Sequence, residues 1–223
     1  MVVNFNKTAY LCAGNNINKM KFEYSINGKR IKQVEEYMYM GVTLAQNFKW
    51  SEHISNICSS ARKKLGHLRH KLGNASSAQR LQAYKYVVRP PLEHASIIWD
   101  PHTKANIDKL EKIQELAARF IYNQYKRKDS PSAMLVQAGL EPLAERRKLA
   151  RLRFLRSLYF IKKLGIQLQD YLVKDSCRPR NKHSRYIKPI FARKNLYKFS
   201  FLPKTISDWN SLPEDSALLS PML

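Results

Sequence analysis

Two-metal polymerase and nuclease chemistry needs carboxylates that hold the ions roughly 4 Å apart, commonly as adjacent aspartates on a turn. The chain has seven aspartates, Asp100, Asp108, Asp129, Asp170, Asp175, Asp208 and Asp215, and no two are adjacent. They fall at predicted helix ends and in loops, where they read as caps and solvated charges. His67 and His70 share a helix face at i, i+3, with Cys58 earlier on the same helix. Two histidines make a poor metal site, so they read as solvated or phosphate-facing. Cys177 and His183 lack the remaining ligands of a zinc knuckle. Neither a Gly-x-Ser-x-Gly elbow nor a phosphate-cradling glycine loop is present, which leaves hydrolase and nucleotide-loop chemistry without support. Glu93 and His94 could suggest an acid–base pair, but Trp99 beside Ile97 and Ile98 reads as a buried anchor whose neighbours bracket a helix.

What the residues do offer is positive charge. Forty Lys and Arg stand against seventeen acids, a net charge of +23 over 223 residues. Such an excess repels itself unless a polyanion is near, and nucleic acid is the first partner to consider. The cations expected to face phosphate are Arg62, Lys63, Lys64, Arg69 and Lys71 on one helix, and Arg146, Arg147, Arg151 and Arg153 on another. A membrane surface would also attract them, but no stretch approaches the roughly 18 apolar residues a spanning helix needs. Met1 to Leu11 has no signal-peptide pattern, and three widely spaced cysteines suggest neither a disulfide framework nor a zinc ribbon. An intracellular location, nuclear or cytoplasmic, is expected.

The elements that must position these groups follow from periodicity. Phe22, Tyr24 and Ile26 alternate with polar residues up to Asn27-Gly28, the dipeptide that favours a type I′ hairpin. Tyr37 to Met40 and then Gly41 to Leu44 form a β-rich run expected to lie beside that hairpin. After Trp50 the period changes. Ser51 caps a helix with Ile54, Ile57, Ala61, Leu65, Leu68 and Leu72 at three- and four-residue steps, ended by Gly73. A second helix follows Ser76-Ser77 through Leu81, Tyr84 and Val87 or Val88, is interrupted at Pro90-Pro91, and continues past a kink to Trp99. Thr103 caps a third with Ile107, Leu110, Ile113, Ala117, Phe120 and Ile121. Ser130-Pro131 starts a short fourth closed by Gly139. Pro142 opens a fifth, to about Leu164, with Leu149, Leu152, Leu155, Leu158 and Tyr159 toward a core. From Lys174 to Lys204 ten Lys or Arg stand against Asp175 alone, interleaved with Tyr186, Phe191, Tyr197, Phe199 and Phe201. That pattern suits backbone neutralisation with base stacking, or docking of the aromatics on the helices.

The order of certain strings resembles the C-terminal part of reverse transcriptases from retrotransposons lacking long terminal repeats, of the jockey-like kind. The strings are Val3-Asn4-Phe5-Asn6-Lys7-Thr8, Tyr39-Met40-Gly41-Val42, Arg89-Pro90-Pro91-Leu92-Glu93, Trp99-Asp100-Pro101-His102-Thr103, Glu141-Pro142-Leu143 to Arg146-Arg147, and Asp208-Trp209-Asn210-Ser211-Leu212-Pro213. The resemblance implies that Tyr39, Met40 and Gly41 form a primer-grip-like hairpin, with Met40 replacing the usual leucine at similar volume. It also implies that Lys7 matches the lysine suggested to protonate leaving pyrophosphate, and that the helices after Trp50 form a duplex-gripping thumb. The fingers, most of the palm and the Tyr-x-Asp-Asp turn would precede Met1, so a truncated copy or isolated C-terminal fragment is expected.

The fold expected is mainly α: short N-terminal β-hairpins, then a thumb-like helical bundle, then an irregular basic tail. Three segments follow: 1–50, a palm-end and primer-grip-like β segment; 51–170, the thumb-like helices; and 171–223, the basic tail with its aromatics. The expected function is binding of an RNA/DNA duplex or primer–template without polymerisation. No cofactor is expected in this chain, and Mg²⁺ only in a full-length enzyme. The alternatives are part of an active reverse transcriptase and a non-enzymatic helical adaptor that binds RNA or DNA.

Overall fold

The structure, a computed structural model, describes residues 4–13, 22–160 and 183–214. Cys177, Leu164 and the part of the basic tail before His183 lie outside the described residues. The chain is mainly helical with small strand pairs at its N-terminal end, and divides into two compact units, 1–60 and 61–223.

In the first unit a 3-10 turn, Phe5–Lys7, precedes six short strands among the described residues. Strand β1 (Ala9–Tyr10) pairs in parallel with β4 (Lys32–Gln33). Strands β2 (Ser25–Ile26) and β3 (Lys29–Arg30) form the expected hairpin, and Asn27 and Gly28 both take positive φ, 50° and 74°, as a type I′ turn requires. The next run does not join it. Strands β5 (Glu36–Tyr39) and β6 (Val42–Ala45) make a separate hairpin around Met40 and Gly41, φ 47° and 82°. A second pair of left-handed residues folds β6 back onto β5, so this run pairs with itself. Val42 and Ala45 are buried, as are Ile54 and Cys58 from the first turns of helix α1 (Ser51–Lys71). The Thr43 N–H donates to Nδ1 of buried His53 at 3.2 Å, tying β6 to α1 within this unit.

In the second unit, helix α2 (Ser77–Ala83) begins with a reciprocal capping box between Ser76 and Gln79. Pro90-Pro91 do not interrupt the helical path as expected. A π-helical segment, Tyr84–Val88, leads into α3 (Arg89–Glu93), and both prolines sit in the first turn of α3, where an N–H is dispensable. Pro91 cannot donate to the Val87 carbonyl four residues back, and Lys64 Nζ donates there instead at 3.4 Å. The break comes later, at Ala95, whose φ of 51° separates α3 from α4 (Ser96–Trp99). Trp99 is fully buried and its indole N–H donates to the His94 carbonyl at 2.8 Å.

Helices α5 (Lys104–Tyr122), α6 (Pro131–Gln137) and α7 (Leu143–Phe160) follow. Helix α5 packs on α2, α6 and α7, and buries Leu110, Ile113, Ala117, Phe120 and Ile121. Each fully buried Leu or Ile contributes about 1.5–3 kcal/mol. Leu149, expected in the core, is 41% exposed, because α7 buries the face that carries Arg147, Arg151 and Leu155. The basic tail is more regular than expected. It contains α8 (Asn195–Lys198) and α9 (Phe201–Asn210), and α9 docks on α7 through Ile206 and Trp209 against Leu152 and Leu155.

Candidate nucleic-acid interface and the buried ion pairs

Four of the strings singled out above are fastened together in the second unit. Asp100, which follows the anchor Trp99, is 8% exposed at its side chain and accepts from three cations. Arg147 Nε donates to Oδ1 at 2.9 Å, Arg151 Nε to Oδ2 at 2.9 Å, and Lys204 Nζ to Oδ2 at 2.5 Å. Arg151 continues outward, with Nη2 donating to Asp208 at 2.8 Å and Nη1 to Thr205 Oγ1 at 3.2 Å. Charges taken out of water cost several kcal/mol each unless paired in good geometry, and here three cations face two carboxylates. Burial pushes the Lys204 ammonium below the usual lysine range, with Asp100 pulling it partly back.

Further residues of these four strings extend the same fastening. Asn210 holds a backbone segment as a peptide group would, its Nδ2 donating to the Ile187 carbonyl at 2.7 Å while its Oδ1 accepts the Ile187 N–H at 3.0 Å. Trp209 Nε1 donates to the Arg185 carbonyl at 2.9 Å. Glu93, in the Arg-Pro-Pro string, takes Arg146 from the Glu-Pro-Leu string in a two-pronged pair, which raises the Arg146 pKa above the usual arginine value. Glu111 caps α7 by accepting the N–H groups of Leu143 and Ala144 at 3.2 and 2.9 Å, where a carboxylate also suits the helix dipole. Tyr84 OH donates to Gln114, which donates to the Glu141 carbonyl, both at 2.9 Å; burial raises the Tyr84 phenol well above its ordinary pKa.

The nine cations expected at phosphate are therefore split. Arg147 and Arg151 are 1% and 3% exposed and serve the interior, contrary to the expectation that they face solvent. Arg146 is half-buried against Glu93, and Lys64 is half-buried with its ammonium on Val87. Arg62, Lys63, Arg69, Lys71 and Arg153 are exposed. Among the described residues none of these five is in an ion pair, and Arg69 lies over the Tyr125 ring at 4.3 Å. On α1 these cations face solvent around the buried stripe of Ala61 and Leu65, with Lys63 across the helix from it and Arg62, Arg69 and Lys71 on its flanks.

In the first unit Tyr39 and Met40 are 57% and 76% exposed at the tip of the β5–β6 hairpin, with Gly41 exposed beside them. Lys7 is exposed, and its carbonyl accepts from Tyr37 OH at 2.9 Å, so the hairpin and the Asn-x-x-Lys-Thr string are tied directly. Among the described residues no group of three or more His, Cys, Asp or Glu converges, and no helix is long and apolar enough to cross a membrane.

Sequence reading missed Asp100, Asp208, Lys204, Glu111 and Arg80 as structural charges. Arg80 is 8% exposed and donates to the Leu72, Gly73 and Ile121 carbonyls, closing the C-terminal ends of α1 and α5 with a positive charge. A signal existed for Asp100 and Asp208, since each neighbours an anchoring tryptophan. Nothing in the local pattern marks Arg80 or Lys204.

No protein-family profile matches this chain, and no solved structure matches it. Over 103 residues, 44% of the chain, it is 28% identical to the RNA-directed DNA polymerase from mobile element jockey of Drosophila melanogaster. The chain spans 11% of that relative's length.

Proposed function

We propose that the chain is the nucleic-acid-gripping part of a jockey-like retrotransposon reverse transcriptase: the end of the palm, a primer-grip-like hairpin and a thumb-like helical unit. The likeness to the jockey polymerase carries this reading. The outward set of Arg62, Lys63, Arg69 and Lys71, with Arg153 on α7, supports it, because phosphates are recognised by solvent-facing cations irrespective of base sequence. The partner is an RNA/DNA duplex or primer–template. Tyr39, Met40 and Gly41 would meet the primer end, and Lys7 is a remnant general acid.

These 223 residues would bind without polymerising, since the sequence has no adjacent aspartates to seat two ions. Mg²⁺ belongs to a full-length enzyme in this reading, which acts inside the cell, in nucleus or cytoplasm. Primer extension on a primed RNA template with Mg²⁺, run beside a gel shift of the same template, tests it. Retarded template with no incorporation is expected; incorporation overturns the inactivity, and an unretarded template overturns the grip.

A second reading, part of a working polymerase, is favoured by the small share of the jockey polymerase that the chain spans. An in-frame Tyr-x-Asp-Asp turn encoded upstream of Met1 would support it, and a stop codon there would remove it.

A further inference from the structure

Between the start of α5 and the tail helices lies a groove of about 720 Å³. Its lining includes Ile107, Pro203 and Ile206, Tyr186 stands at its wall, and Lys198 and Lys204 supply its positive charge. His102 and Phe199, also lining it, stack face to face with centroids 4.2 Å apart and planes inclined by 2°. Phe199 covers one face of the His102 ring, and His102 is exposed, so the stack offers an outer face to one more flat ring. Asp208 turns to Arg151, and Lys204 spends two of its three N–H donors on Asp100 and the Pro101 carbonyl, leaving one.

We propose that this groove seats an unpaired nucleotide of single-stranded nucleic acid, its base stacked on His102 and its phosphate between Lys198 and Lys204. Charge complementarity selects this occupant: Lys198 and Lys204 line the groove, and Asp208, the one acid in its lining, is paired with Arg151. The size selects the single strand, because the volume is that of a pocket for a small molecule and a paired helix cannot enter it. Stacking on an aromatic face is indifferent to base identity, so the site reads strandedness and not sequence. The inference rests on the nucleic-acid reading above and assigns it a second subsite, apart from the α1 cations.

The test uses the full chain, a short labelled single strand, and the same strand annealed to its complement, with affinities read by fluorescence anisotropy. His102→Ala should weaken single-strand binding roughly 5- to 150-fold and leave duplex binding unchanged. His102→Phe, which keeps a flat ring on Phe199, should restore it. Lys198→Ala should lower the single-strand salt slope by about 0.7. Because His102 and Lys198 are exposed, neither change threatens the fold. The groove assignment is overturned if His102→Ala weakens neither probe or both equally, if His102→Phe fails to rescue, or if the Lys198→Ala slope is unchanged. Wild-type chain that binds duplex but no single strand removes the groove alone; wild-type chain that binds neither removes the nucleic-acid reading with it.

Discussion

Arg151 Nε and Asp100 Oδ2 are joined at 2.9 Å across fifty-one residues of sequence, and the pair sits inside the helical unit. The strongly basic α7 is thus held to α4 and α9 partly by its charges. The positive residues of this chain do two separate jobs: some close the fold, and others stay in solvent, where a polyanion can reach them.

Removing the carboxylate should unfasten the helical unit. Asp100→Asn leaves Arg147 buried without its anion and Arg151 with Asp208 alone, and Arg147 already has both Nη groups buried with no hydrogen-bond partner among the described residues. Breaking one side of a buried pair costs about 3–5 kcal/mol. The urea midpoint of the variant should fall accordingly, and an unchanged midpoint would show that the pairs contribute nothing.

The solvent-facing cations should behave in the opposite way. Arg62→Ala, Lys63→Ala and Lys71→Ala, each exposed, should leave the urea midpoint within about 0.5 kcal/mol of wild type. Each should lower duplex affinity at low salt and reduce the salt slope by about 0.9. Arg151→Ala should do the reverse, destabilising strongly. If the α1 variants bind as wild type does, these cations are only solvated charge.

Stability should also fall on mild acidification through His102. Desolvation, and then the nearby Lys204 ammonium, hold its imidazole pKa below the usual histidine value. As pH drops through about 6.5 the unfolded chain takes up the proton first, so folding stability is lost from there down to the folded-state value. His102→Phe should show a smaller loss of urea midpoint between about pH 7.5 and pH 5 than wild type. An equal loss would place the acid sensitivity elsewhere.

The local rules were legible wherever neighbours in sequence decide the structure. Asn27-Gly28 announced its turn, the Ile54-to-Leu72 stripe announced α1, and Gly139 ended the helix before it, with φ of 60°. The rest depended on distant residues. Helix α7 carries leucines and arginines at the same three- and four-residue steps, so its pattern alone does not say which face is inward. The choice of Arg147, Arg151 and Leu155 over Leu149 is made by Asp100, forty-seven residues before Arg147, and by α9 beyond it. Pro90-Pro91 predicted a break at the wrong place, because they sit in the first turn of α3 just after a π-helical segment, and Lys64, from another helix, took the Val87 carbonyl. Five of the nine expected phosphate contacts remain outward for a similar reason: periodicity locates a charged helix, whereas distant partners such as Asp100 decide which of its arginines turn inside.

The most direct test of the cationic grip is the affinity of the intact chain for a short RNA/DNA duplex as salt rises from about 50 to 200 mM. With the five outward cations each neutralising about one phosphate, the binding constant should drop roughly 500-fold along a straight log–log line. A binding constant that stays flat over that range would contradict it.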